Sequence, residues 1–173
     1  IKSSPITYYA TPSASNPHYL FSSTEGGTAL NSVSQNLILQ RGFSYIFKRA
    51  DGSSLHPFNI GSDWTENNTG IVISGSDITN GESLSFTIPN DYTGILKYYC
   101  GTHEAMIGNF TISDSPIKYY TTPSASSPHY LFTSTPDGTP LNDSEDLILQ
   151  KGFSYIFERA DGSSLHPFNI GSG

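Results

Sequence analysis

Residues 43–49 read Phe43-Ser44-Tyr45-Ile46-Phe47-Lys48-Arg49. Phe43, Tyr45 and Phe47 recur at every second position, so an extended chain places them on one face and Ser44 on the other. The same alternation runs through Leu84-Ser85-Phe86-Thr87-Ile88. Short runs rich in aromatic and branched residues also occupy 37–40, 58–60, 71–74, 95–100 and 107–112. Two further strands are predicted in 6–9 and 18–23. Turn formers separate the runs: Arg41-Gly42, Asp51-Gly52-Ser53-Ser54, Asn80-Gly81, Pro89-Asn90-Asp91 and Thr93-Gly94. No stretch carries a helical period. About eight short strands with turns every 8–12 residues predict an all-β fold, a β-sandwich of two sheets.

The chain repeats itself. Pro5-Ile6-Thr7-Tyr8-Tyr9 returns as Pro116-Ile117-Lys118-Tyr119-Tyr120, and Pro17-His18-Tyr19-Leu20-Phe21 returns as Pro128-His129-Tyr130-Leu131-Phe132. Leu37-Ile38-Leu39-Gln40 returns as Leu147-Ile148-Leu149-Gln150, and 50–62 recurs unchanged as 160–172. The period of about 110 residues is the length of a domain rather than of a solenoid coil. It predicts a complete unit over 1–113 and the N-terminal half of a second over 114–173. The half unit belongs either to a longer tandem array or to a fold completed by another copy through strand exchange, which makes neighbouring repeats or copies of the chain the expected partners.

Composition narrows the function. Of 173 residues, 8 are Lys or Arg and 15 are Asp or Glu, a formal charge of −7. Phosphate recognition needs clustered cations, so no nucleic-acid partner is expected, nor adsorption on anionic lipid. No apolar run is long enough to insert in a membrane. Charged residues make up 13% of the chain, half the usual ~25%, and Ser and Thr together roughly a quarter. Such a surface suits an extracellular or cell-surface setting, or a periplasmic one. A single Cys forbids an intrachain disulfide. The acidic residues are scattered and form no pair suited to acid–base work, so the chain reads as a binding, electron-transfer or structural module and not as an enzyme.

The chemistry is concentrated in Cys100-Gly101-Thr102-His103-Glu104-Ala105-Met106, which holds the only Cys and the only Met. A loop of this length between two strands can turn a thiolate, an imidazole and a thioether toward one point. His56, in Leu55-His56-Pro57-Phe58, would approach from a neighbouring loop. These donors suit copper, held in a trigonal His2Cys plane with a long axial Met. Zinc is less suited, because a thioether is a poor zinc ligand. Haem attachment needs two Cys, and a Cys–His nucleophile needs both groups free to reach a substrate. Taken singly, the same residues read as a small buried Cys, a surface His and a core Met.

The spacing Leu37-x4-Gly42-x4-Phe47, then His56-Pro57-Phe58, then Tyr98-Tyr99-Cys100-x2-His103-x2-Met106 resembles the cupredoxin, or blue-copper, family. The short ligand loop is similar to that of amicyanin, and the ending resembles cupredoxin-like modules of large surface proteins. The resemblance implies a Greek-key sandwich binding one type 1 copper per complete repeat through His56, Cys100, His103 and Met106. It also implies one-electron transfer with a redox partner protein. Pro57 stands where family members often carry an Asn that ties the ligand loops together, and Asn59 is the candidate substitute. The tandem repetition and weakly charged surface suggest instead a structural module of a long fibre or adhesin, with or without metal.

Other positions are read as structural. His166 repeats His56 without a Cys partner in its unit, His18 and His129 read as strand-edge residues, and Trp64 reads as a loop anchor over one end of the fold.

Overall fold

The computed structural model describes residues 4–114, 116–141, 146–150, 153–162 and 165–170. The Asn142-Asp143-Ser144 triplet, which matches glycan-acceptor spacing, lies outside them. The chain divides into two compact units, Ile1–Asp114 and Ser115–Gly173.

The described residues of the first unit form ten strands: β1 (Ile6–Pro12), β2 (Tyr19–Ser22), β3 (Ile38–Gln40), β4 (Ser44–Lys48), β5 (Phe58–Gly61), β6 (Ile73–Ser74), β7 (Ser83–Thr87), β8 (Lys97–Cys100), β9 (Ile107–Asn109) and β10 (Thr111–Ser113). The alternation read in the sequence is visible in the burial: Tyr45 and Phe47 of β4 are buried, as are Leu84 and Phe86 of β7. Their shared face follows from the register, which sets Tyr45 opposite Phe86 and Phe47 opposite Leu84.

The chain is all-β, with no helix among the described residues. The Greek-key sandwich expected from the sequence is corrected: the strands wind as a β-solenoid. Among the described residues the strands of the first unit fall into three hydrogen-bonded sheets rather than two, ordered β2-β1-β4-β7-β6, β10-β3 and β5-β8-β9, and the second unit holds a sheet of its own. β1 runs parallel to β4, and β3 parallel to β10. A Greek key sets its strands antiparallel, whereas parallel neighbours are joined by crossover connections. Residue alternation reports which face of a strand is buried but not which strand lies beside it, so this part of the expectation had no support in the pattern.

The predicted strand 107–112 is two strands. Up to Asn109 the chain pairs with β8, and from Thr111 it pairs with β3. Phe110 makes the transfer: its N–H donates to the Leu96 carbonyl at 3.1 Å, and its ring enters the core. There it lies 5.5 Å from the ring centroids of both Phe21 and Phe47. Phe47 also contacts Tyr8, Phe58 and Phe86. One fully buried ring therefore bridges strands of two sheets and the connection from β9 to β10.

The second unit contains β11 (Ile117–Pro123), β12 (Tyr130–Thr133) and β13 (Tyr155–Arg159), in the order β12-β11-β13. β11 pairs antiparallel with β12 and parallel with β13, as β1 does with β2 and β4. Phe132, Phe157 and Phe168 contact one another and remain partly exposed, whereas Phe21, Phe47 and Phe58 of the first unit are fully buried.

Truncating a fully buried ring removes transfer energy and leaves a cavity. Phe47→Ala should destabilise the first unit by about 3–5 kcal/mol, read as a lower denaturation midpoint in urea. Phe157→Ala in the less buried second unit should cost less.

Candidate metal centre

The two ligand-bearing loops meet because of one ladder. β5 and β8 are antiparallel with Phe58 opposite Cys100. His56, two residues before Phe58, therefore emerges at the same end as the residues that follow Cys100. The 44-residue separation of His56 and Cys100 is thereby reduced to a side-chain contact. The second loop closes on itself: the Cys100 N–H donates to the Met106 carbonyl at 2.9 Å, and the Met106 N–H donates to the His103 carbonyl at 3.0 Å. That turn carries His103 back over Cys100.

Three donor atoms converge. Nδ1 of His56 lies 3.2 Å from Nδ1 of His103. The Cys100 Sγ lies 3.8 Å from His56 Nδ1 and 3.5 Å from His103 Nδ1. A circle through three atoms at these separations has a radius of about 2 Å, close to the ~2.0–2.3 Å at which imidazole and thiolate bind transition metals. A metal ion in the plane of the three donors would reach all of them without rearrangement. His56, Cys100 and His103 thus form a group that could hold a metal.

Met106, the fourth residue singled out by the sequence, is half-buried and packs against the aromatic core, with its backbone bonded into the ligand loop. Glu104 is exposed in the same loop. His18 and His129 lie beside β2 and β12 and belong to no metal-holding group among the described residues.

The thiol is poised to ionise. Burial pushes the Cys100 pKa up, but hydrogen bonds from the Thr102 hydroxyl and backbone N–H, then from His103 and His56, outweigh it and bring the thiol down to about 6. The Thr102 Oγ1 sits 3.2 Å from the sulfur and 2.9 Å from His103 Nδ1, so one hydroxyl serves two donor atoms. A thiolate is the form that binds a metal, and a lowered pKa supplies it near neutrality.

Compared with known proteins, the chain matches no family model and no curated sequence. The centre is therefore defined by its own geometry.

Several residues that build the centre were missed in the sequence. The Gly101 N–H donates to the Pro57 carbonyl at 2.9 Å, joining the loops through backbone alone. Asn59, the candidate for that task, is bonded elsewhere: its amide donates to Asp77 Oδ1 at 2.8 Å and accepts the Asp77 N–H at 2.7 Å. Gly101 lies against this pair, and a methyl group there would overlap Asp77 Oδ1. Trp64 is the expected anchor, and its partner is specific: the indole N–H donates to the Cys100 carbonyl at 3.0 Å.

Arg49 is the least expected contributor. It is a buried cation that pairs with both carboxylate oxygens of Asp51 at 2.8 Å and donates to the carbonyls of His56, Leu55 and Ile78. The repetition of Arg49-Ala50-Asp51 as Arg159-Ala160-Asp161 was the available signal.

A thiol whose folded pKa lies below its unfolded value, here about 6 against a reference of 9.0, stabilises the fold fully above the unfolded value. That stabilisation is lost as pH falls from about 9 toward 6. In metal-free protein the thiolate ultraviolet absorbance should titrate with a midpoint near 6, and Thr102→Val should raise that midpoint. Tm should climb between pH 6 and 9 by an increment that Cys100→Ser removes.

Proposed function

We propose that the first unit is a copper-binding module of the type 1 kind, held by His56, Cys100 and His103 with Met106 as a weak axial donor, within a repeat-bearing structural protein outside the cell. The observation that carries this reading is the thiolate-and-two-imidazole triangle, whose size leaves its common centre about 2 Å from each donor. Among His, Cys, Asp and Glu, no fourth strong ligand joins the group in the described residues. A closed zinc site would need one. A trigonal set with a thioether in the adjoining loop favours copper.

Bound copper supplies a one-electron couple. The protein's residues set the conditions for it. Cys100 brings a negative charge without needing a strong base, because Thr102 and the two histidines favour the thiolate. Cys100 is fully buried, so water is kept from the sulfur, while His103 is exposed and offers an edge for electron passage. His56 and Gly101 are fixed through backbone groups, which limits movement of the donors when their net charge changes. The Ser/Thr-rich, weakly charged sequence and its repetition support the structural, extracellular part of the reading.

Oxidised copper added to the protein should give an intense blue colour with narrow copper hyperfine splitting, at one ion per chain. Cys100→Ser should remove the colour and leave the strands folded. A colourless protein that binds zinc in preference would overturn the copper assignment. Chelation of the loaded protein should lower its Tm, since a ligand bound only by the native state adds about 4 kcal/mol at a thousand times its Kd.

A further inference from the structure

His56 has a backbone φ of +55°. For a side chain with a Cβ this left-handed conformation is sparsely populated and persists only where surroundings hold it. The surroundings are three side chains. The Tyr19 hydroxyl donates to the His56 carbonyl at 2.8 Å, Arg49 Nη1 donates to the same oxygen at 2.6 Å, and Asp51 holds the guanidinium by its other edge. Tyr19 and Arg49 are both buried, so the carbonyl is gripped from inside the fold.

The second unit is an internal control. His166 has a φ of +54°. Its carbonyl accepts Tyr130 Oη at 2.9 Å and Arg159 Nη1 at 2.6 Å, and Arg159 is paired with Asp161. The chain's one Cys is in the first unit, so this unit has none of its own. The same strained histidine is nevertheless built by the same three residue types. The grip therefore does not arise from the thiol or from the loop that carries it.

We infer that Tyr19, Arg49 and Asp51 are positioning residues that preset His56 as a ligand before metal or thiolate is engaged, and that Tyr130, Arg159 and Asp161 preset His166 in the same way. As far as it concerns metal affinity, this inference rests on the copper reading; as far as it concerns the metal-free backbone, it stands alone. The logic is preorganisation. Strain held by the fold is not drawn from the binding energy, and outer partners that orient a ligand commonly govern metal affinity by about 10–100-fold.

The test uses the whole chain. In metal-free protein, residual dipolar couplings and amide order parameters should find both His56 and His166 left-handed and as rigid as strand residues. Tyr19→Phe should loosen His56 alone, and Tyr130→Phe should loosen His166 alone. Tyr19→Phe removes one hydroxyl and leaves the Arg49–Asp51 pair intact, so it should stay folded; Arg49→Lys, which keeps the charge but loses the fork, is the second variant. Both should weaken copper binding by about tenfold or more; Tyr19→Phe should do so with a small change in metal-free Tm, whereas Arg49→Lys should also lower Tm because buried carbonyls lose their donor. Rigid His56 and unchanged affinity in both variants, with only Tm lowered, would leave the three residues as ordinary packing and overturn the inference. A mobile His166 in the unaltered chain would overturn it too. If the unaltered protein takes no copper, the copper reading fails, while the metal-free couplings still decide whether the grip presets the histidines.

Discussion

The pairing of Phe58 with Cys100 across the β5–β8 ladder is the constraint on which the centre depends. A backbone ladder fixes two chains to within the tolerance of a hydrogen bond. Side chains at its end inherit that precision. His56 and Cys100 are 44 residues apart in the sequence, yet they are neighbours because the strands that carry them are hydrogen-bonded to each other. Gly101 to Pro57 extends the same linkage one step beyond the strands. The ring of Phe58 is fully buried against Tyr19, Phe21 and Phe47. The aromatic core and the candidate centre thus share one residue pair, and loosening the core would displace the donors.

Around that pairing the fold carries two kinds of support. One is apolar and pervasive: interlocked aromatic rings, with Phe47 at the centre of their contacts. The other is polar and local: buried Arg49 with Asp51, and Asn59 with Asp77. A buried guanidinium is costly unless every face is satisfied. Arg49 meets that condition with one carboxylate and three carbonyls, all belonging to the segments that flank His56 or pair with β5. Its cost of burial is offset by contacts that also set the ligand loop.

Much of this was legible in the residues, and the limits are physical. Period-two alternation located β4 and β7 and showed which of their side chains enter the core, because burial of one face is a property of the strand itself. The ligand types were legible too: Cys100, His103 and His56 do converge, as soft donors at short loop spacing suggested. Strand neighbours were not legible. β1 beside β4 and β3 beside β10 are long-range parallel pairings that no local pattern encodes, so the Greek-key expectation gave way to a solenoid winding of the strands. The splitting of 107–112 at Phe110 was hidden because an apolar residue looks alike whether it continues one ladder or begins another. The task expected of Asn59 fell to a backbone amide, which leaves no trace in residue identity.

The bond from the Trp64 indole to the Cys100 carbonyl has a further consequence. It places the sole tryptophan of the chain one backbone group away from the sulfur. The tryptophan emission of the chain therefore comes from a single indole at the rim of the centre. Arrival or loss of a paramagnetic or heavy ion there would change its quenching, giving the molecule an optical gauge of occupancy without any label attached.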